Sequence, residues 1–175
     1  MGAILMLPLE GVEKVMADND IIVSKTNLKG HLVYANDVFL EMSELKLAET
    51  LGKPHSLIRS AAMPRSLFKL LWDRLEAGHE VFAYVVNRAA SGKHYWVLAH
   101  VTPSLGLDGK VSGYHSNRRK PNAAAVAEIS KVYEALLAAE ASVKNGKQSL
   151  AAGSALLSAI LTEKGLDYDE YVLSL

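Results

Sequence analysis

Apolar residues in the middle of the chain first recur with helical spacing. Pro64 suits the first position of a helix, where its missing N–H has no intrahelical partner to lose. Gly78 suits the end of a helix, because glycine adopts the left-handed conformation that often closes one. Between them the apolar positions lie three and four residues apart: Leu67, Phe68, Leu71, Trp72 and Leu75. This pattern predicts one amphipathic helix.

The spacing then changes to the alternation typical of strands. Three β-rich segments follow at 80–88, 93–101 and 110–117, and glycine-containing links at 89–92 and 106–109 predict hairpin turns between them. A helix packed on such an antiparallel meander leaves a space that a small domain uses either as core or as a ligand pocket.

The residues before this region predict a further hairpin and short helices. Strand-like runs at 21–23 and 31–35 flank a turn, and Asn36 is expected to cap a short helix that continues to Met42. A second helical piece at 45–51 ends at Gly52. The predicted order is therefore two strands, short helices, a longer helix and three strands.

After Pro121 the chain becomes rich in alanine. Apolar stripes predict helices at 122–143 and 148–162, which Asn145 and Gly146 separate, and Asp167 can cap a last short helix. We interpret this helical hairpin as an interaction or dimerisation appendage. The sequence thus divides into an N-terminal capping segment at 1–19, a domain at 20–120 and a C-terminal helical hairpin at 121–175.

Composition excludes several functions. The 175 residues include 19 basic and 19 acidic side chains, so no field of one sign favours nucleic acid or an anionic membrane as a partner. Without cysteine the chain can form neither a disulfide framework nor a thiolate zinc site. The apolar start at 3–9 is too short for a membrane span or a usual signal peptide, so we expect a cytoplasmic protein. No set of nucleophile, base and orienting group is visible, so we do not expect an enzyme.

Five sequence blocks point to a family. The blocks GKPHSLIR, MPRSLFKLLW, VVNR, GKHYWV and GKVSGYHSNR resemble, in order and spacing, the PAS domain of bacterial aerotaxis receptors over residues 20–120. The resemblance implies an α+β PAS fold, which is a five-stranded antiparallel sheet with short helices on one face. It also implies a pocket for FAD and a sensory role. The photochemistry of light-sensing PAS domains needs a cysteine and is excluded here.

The resemblance places candidate cofactor-binding residues at Asn36, His55, Arg59, Trp72 and Asn87. The guanidinium of Arg59 suits a pyrophosphate, and His55 and Asn87 can bond an isoalloxazine edge or ribityl hydroxyls. Each residue also has a structural alternative. Trp72 suits the core, His55 can cap a turn, Arg59 can be a surface arginine, and Asn87 can satisfy a turn at a strand end.

The chain departs from the family at three places. The motif His-Pro-Asp-Met-Pro is replaced by the run at 60–64, which lacks its histidine and aspartate, and Val81 stands where the family has a tryptophan. These changes make the expected pocket more apolar. His115 occupies a position that is usually apolar, and we expect it to point inward, where it could ligate haem iron or be a satisfied core residue.

Two hypotheses of different classes follow. In the first, the protein is a cytoplasmic PAS sensor that binds FAD, reports redox state or oxygen, and acts in trans on a signalling partner protein. In the second, it is a PAS interaction module that has no cofactor, or that binds haem or a small ligand.

The outer face of the predicted sheet is also apolar. Alternation puts five large side chains on this face: Phe82, Tyr84, Val86, Trp96 and Leu98. Soluble proteins seldom leave such a patch bare, so the N-terminal segment, the helical hairpin or a second copy must cover it. We expect the N-terminal segment at 3–16, with the same surface forming the core of a homodimer. The stripe of the hairpin can be satisfied internally.

Overall fold

The computed structural model describes residues 7–175. Its elements, in chain order, are β1 (Ile22–Asn27), β2 (Leu32–Ala35), α1 (Asp37–Ser43), α2 (Leu47–Thr50), a 3₁₀ turn (His55–Ile58), α3 (Arg65–Glu76), β3 (Val81–Arg88), β4 (His94–Leu105), β5 (Val111–Arg119), α4 (Ala123–Ala141), α5 (Gly146–Lys164) and α6 (Tyr168–Ser174). This is the predicted order of elements.

The five strands form one antiparallel sheet in the order β2-β1-β5-β4-β3. The predicted α+β fold, a five-stranded antiparallel sheet with helices, is confirmed. β5 lies at the centre, where Arg118 is opposite Ile22 of β1 and Ala99 of β4. Its alternate residues therefore face the space that α3 covers.

Side-chain caps fix several helix ends where the sequence predicts them. Asn36 accepts a hydrogen bond from Phe39 N at 3.0 Å, and its amide group also bonds both Val23 N and Ile21 O of the neighbouring strand region. Asp167 forms a capping box with Glu170 at the start of α6. The predicted caps at Asn36 and Asp167 are confirmed.

The outer face of β3 and β4 is covered by the C-terminal helices. The ring of Tyr133 in α4 stacks on Trp96, with the centroids 6.2 Å apart, and its hydroxyl donates to Tyr84 O at 2.6 Å. Trp96 is 5% exposed and Val86 is fully buried. The expectation that the hairpin is satisfied internally is therefore wrong.

The reason lies in the composition of α5. The buried residues that α5 contributes are Ser149, Gly153 and Leu157, of which only Leu157 is large. The apolar stripe of α4, by contrast, carries Tyr133 and other large side chains. A helix that presents small residues cannot cover such a stripe, so α4 also packs against the sheet.

The N-terminal segment covers less than predicted. Leu7 joins the cluster that contains Trp96 and Tyr133, while Val12 is 75% exposed. The backbone at Lys14 pairs with His94, the first residue of β4, since Lys14 N donates to His94 O at 2.7 Å. Residues 3–6 of the predicted cover lie outside the described residues. The homodimer stays a prediction, but the patch that motivated it is largely buried within one chain.

No helix within residues 7–175 has both the length and the apolar character needed to cross a bilayer.

Candidate ligand-binding site

A cavity of about 440 Å³ lies between α3 and the inner face of the sheet. Its lining comes from every strand except β2, from the turn between β1 and β2, from α3, and from the loop and 3₁₀ turn that precede α3: Ser24, Thr26, Lys29, Gly30, Pro54, His55, Ser56, Arg59, Phe68, Leu71, Trp72, Leu75, Val81, Ala83, Val85, Asn87, Ala99, Val101, Tyr114, Ser116 and Arg118. The space that the sequence predicts between helix and meander is thus a pocket.

One face of α3 forms the cavity wall. Phe68, Leu71, Trp72 and Leu75 are three or four positions apart, so they lie on one side of the helix. Trp72 meets the ring of Tyr114 edge-on, with the centroids 5.3 Å apart, and remains 37% exposed. Trp72 therefore stands at the rim of the cavity, within reach of a ligand, and is not a core residue.

The opposite wall is made of small and medium side chains. Ala83 of β3 and Ala99 of β4 are directly paired and both line the cavity. Val81, which replaces the expected tryptophan, lies on the same face. Short side chains on this face leave room for a flat group against the sheet.

Arg118 supplies a positive charge inside the cavity. The residue is 4% exposed, and its Nη2 donates to Ser24 Oγ at 2.8 Å. The same nitrogen lies 2.6 Å from His55 Nε2. Burial lowers the pKa of Arg118 to about 10, which still leaves the guanidinium protonated at neutral pH.

His55 is held neutral by this arrangement. Burial, and then the charge of Arg118, lower the pKa of His55 to about 3. Because Nε2 faces a guanidinium that can only donate, it acts as the acceptor, and the ring proton belongs on Nδ1. The imidazole also lies edge-on to the ring of Phe39, at 6.1 Å.

Three buried polar atoms of the lining have no hydrogen-bond partner among residues 7–175. They are Asn87 Nδ2, Ser116 Oγ and Arg118 Nη1. All three can donate a hydrogen bond, and two of them can only donate. Because buried polar groups are nearly always paired, these atoms indicate a ligand that presents acceptor oxygens or nitrogens.

Arg59 stands at the mouth of the cavity. Its side chain is solvent-exposed, and the guanidinium carbon lies 4.1 Å from the ring centroid of Phe68. The backbone of Arg59 forms an isolated antiparallel bridge with Asn87, which ties the mouth to the free edge of β3.

The cavity brings together four of the residues selected from the sequence, His55, Arg59, Trp72 and Asn87. Asn36 does not line it, because its amide group is used to cap α1 and to bond the start of β1.

His115 is also outside the cavity. Its Nε2 lies 3.1 Å from Asn117 Oδ1, on the face of β5 opposite to Tyr114, Ser116 and Arg118. The expectation of an inward His115 is therefore wrong, and this residue cannot ligate haem iron in the cavity. The inward expectation rested on His115 occupying a position that is usually apolar in the family. The direct pairing of Arg118 with Ala99, which does line the cavity, gives the correct face.

Glu140 anchors the wall helix to the C-terminal hairpin. The side chain of this α4 residue is buried and accepts hydrogen bonds from Ser66 N at 2.8 Å, Ser66 Oγ at 2.7 Å and Arg65 N at 3.1 Å. It thus caps the N-terminus of α3, where Pro64 has no capping side chain. Gly153 of α5 makes room for the contact, since a Cβ there would lie 2.8 Å from Glu140 Cγ.

Comparisons with known proteins agree with this architecture. A family model described as PAS fold matches residues 12–115. The aerotaxis receptor of Escherichia coli (strain K12) is 35% identical over 127 residues, which are 73% of this chain and 25% of the receptor. The nitrogen fixation regulatory protein of Klebsiella pneumoniae is 26% identical over 99 residues, which are 57% of this chain and 20% of that protein. The chain thus spans about a quarter or less of the length of these relatives.

Solved structures show the same fold. A light-oxygen-voltage domain studied with a flavin analogue superposes with a TM-score of 0.56 at 19% identity, covering 66% of this chain and 86% of that one. The light-state structure of the Aureochrome1 light-oxygen-voltage domain gives 0.54 at 17% identity, covering 73% of this chain and 94% of that one.

Proposed function

Because the chain belongs to the PAS family, with an aerotaxis receptor among its relatives, we propose that it is a sensory domain that binds a flavin in the α3–sheet cavity. The flavin is FAD, and the domain reports redox state or oxygen to a partner protein. The proposal is sensory rather than catalytic, since the relatives named above are a receptor and a regulatory protein. It keeps the cytoplasmic location that the sequence predicts.

The observation that carries the proposal is a set of three buried donors that have no partner among residues 7–175 and that line a cavity with largely apolar walls. An isoalloxazine has a broad apolar ring face and an edge with carbonyl and nitrogen acceptors. The small residues opposite Phe68 and Leu71 suit the ring face, and Asn87, Ser116 and Arg118 suit the acceptors. The residues present therefore fit a flavin.

FAD also carries a pyrophosphate and an adenosine. Arg59 is exposed at the mouth and steadied by Phe68, so it can meet phosphate oxygens that extend out of the cavity. This is the feature that favours FAD over riboflavin.

A bound flavin would supply the redox chemistry, while residues of the chain connect the cavity to the C-terminal hairpin. Trp72 and Phe68 lie on α3, and Glu140 ties the N-terminus of α3 to α4. A ligand-dependent shift of α3 would therefore move the C-terminal hairpin, which we propose as the surface that a partner protein or a second copy contacts. The shift is a difference between two populated states, so it requires that the ligand bind them with different affinities.

The visible absorption spectrum of the purified protein tests the proposal. After incubation with FAD and removal of the excess, the bands of a flavin are expected in the wild-type protein. Ala83→Trp should abolish them by filling the cavity, because Ala83 is 2% exposed and lines it. Leu107→Trp, at a fully exposed loop position, is the matched control and should retain them. A flat spectrum for the wild type would refute the proposal, and a Soret band would indicate haem instead.

A further inference from the structure

Arg118 is a buried charge for which residues 7–175 provide no counterion. No carboxylate within residues 7–175 forms an ion pair with it, and none contributes to its shifted pKa. Burying a charge is unfavourable unless a partner compensates for it. A ligand in the cavity is in the position to provide that partner.

The neighbours of Arg118 orient the guanidinium without neutralising it. Ser24 Oγ and His55 Nε2 both bond Nη2, and both are uncharged. The ring of Phe39 lies 5.8 Å from the guanidinium carbon, which is a weak stabilising contact. Nη1 has no hydrogen-bond partner in the described part of the chain, and Arg118 belongs to the cavity lining. The part of the cavity lining around Arg118 therefore carries a net positive charge at neutral pH.

We propose that Arg118 makes the cavity bind reduced flavin more tightly than oxidised flavin, and thereby sets the reduction potential at which the domain responds. This inference rests on the proposed flavin function. Oxidised flavin is uncharged at its ring system, whereas uptake of two electrons and one proton gives a ring monoanion. A fixed buried positive charge favours the anion, and the surrounding low dielectric strengthens the effect.

The experiment measures the reduction potential of the protein-bound flavin. Riboflavin is the probe, because it has no phosphates that Arg59 could bind. The loaded protein is titrated with dithionite, which supplies the electrons, beside a reference dye, at a pH where free reduced flavin is anionic. The variants are Arg118→Met, which removes the charge, Arg118→Gln, which removes the charge but keeps an amide donor, and Arg118→Lys, which keeps the charge.

The matched control is Arg119→Met. Arg119 is the next residue of β5 and has the same charge, but it is solvent-exposed and absent from the cavity lining. Its removal should leave the potential unchanged, because water screens an exposed charge.

Arg118→Met and Arg118→Gln are each expected to weaken the preference for reduced over oxidised riboflavin at least tenfold. For a two-electron couple this lowers the potential by at least about 30 mV. Arg118→Lys should stay closer to the wild type than either. Circular dichroism verifies that each variant is folded, and if Arg118→Met is not, Arg118→Gln and Arg118→Lys provide the comparison.

Two results would overturn the inference, and only one of them would also overturn the proposed flavin function. Folded variants that bind riboflavin with the wild-type potential would show that Arg118 does not tune the flavin, while the proposed flavin function would stand. A wild-type protein that shows no flavin bands with either riboflavin or FAD would overturn the proposed function together with this inference.

Discussion

Replacement of Glu140 by alanine should destabilise the whole domain, because one carboxylate completes a helix that belongs to the cavity wall. The side chain is 7% exposed and accepts three hydrogen bonds from Arg65 and Ser66 at the start of α3. Alanine removes the cap and leaves two backbone N–H groups and a hydroxyl without their acceptor.

The magnitude follows from these three donors. Loss of a helix cap costs about 0.5–2 kcal/mol, and each buried donor left unsatisfied costs about 1–3 kcal/mol. Two effects reduce this cost. The alanine variant no longer has to bury a carboxylate, and water can reach some of the donors that lose their acceptor. We therefore expect Glu140→Ala to lower the free energy of unfolding by about 2–4 kcal/mol. Glu140→Gln retains one acceptor oxygen and should lose about half as much.

Urea denaturation measures the change in the free energy of unfolding. An unaltered dependence of this free energy on urea concentration shows that the unfolded states of the variants are comparable. Glu128→Ala is the control on the same helix. Within residues 7–175, the one ion pair of Glu128 is with the exposed Lys131, so its removal should change stability by less than about 0.5 kcal/mol. Limited proteolysis should also release the hairpin at 121–175 sooner from Glu140→Ala. If Glu140→Ala were as stable as Glu128→Ala, the cap would not anchor α3, and the proposed route from cavity to hairpin would fail.

Three further predictions concern the cavity. Arg59→Ala should weaken the binding of FAD by roughly 1–2 kcal/mol, which is in the lower range for charge-assisted hydrogen bonds because Arg59 is exposed. The affinity for riboflavin should change little. Equal losses of affinity for FAD and riboflavin, measured by fluorescence titration, would exclude a phosphate contact. The pKa of His55 is lowered from 6.5 to about 3, so the unfolded chain binds a proton that the folded chain does not. Stability should therefore fall as the pH decreases from about 6.5 to 3, by at most about 1.4 kcal/mol per pH unit, and His55→Gln should remove this part of the slope in urea titrations. Blue light should leave no slowly reverting bleached state of the bound flavin, because the chain has no cysteine to form an adduct, and a reversible bleach in the absorption spectrum would contradict this.

Local signals predicted much of the fold. Asn36, Gly78 and Asp167 act through neighbours a few residues away, so a single sequence is enough to place the helix ends that they fix. The alternation on β3 also gave the correct inner face, because Ala83 and Val85 are small and apolar, as a cavity wall requires.

The features that the sequence did not predict depend on contacts between distant residues. Arg118 and Ser116 look like solvent-facing residues, and only the register of β5 with β4, which places Arg118 opposite Ala99, shows that they face the cavity. Glu140 looks like one more charge on an exposed helix, and its partner lies 74 residues earlier in the chain. The stripe of α4, which includes Tyr133, is expected from the sequence to be satisfied within the hairpin, since nothing local shows that α5 is too poor in large residues to cover it.

The distance along the chain between α3 and its cap has a consequence for biosynthesis. A ribosome makes the N-terminal part of a protein first, at about 5–20 residues per second. The five strands and α3 are complete at residue 119, yet the carboxylate that caps α3 belongs to residue 140. Until that residue has left the ribosome, the wall of the cavity begins with unbonded N–H groups. The nascent chain can therefore form its sheet before it completes the wall of the pocket, which requires residue 140.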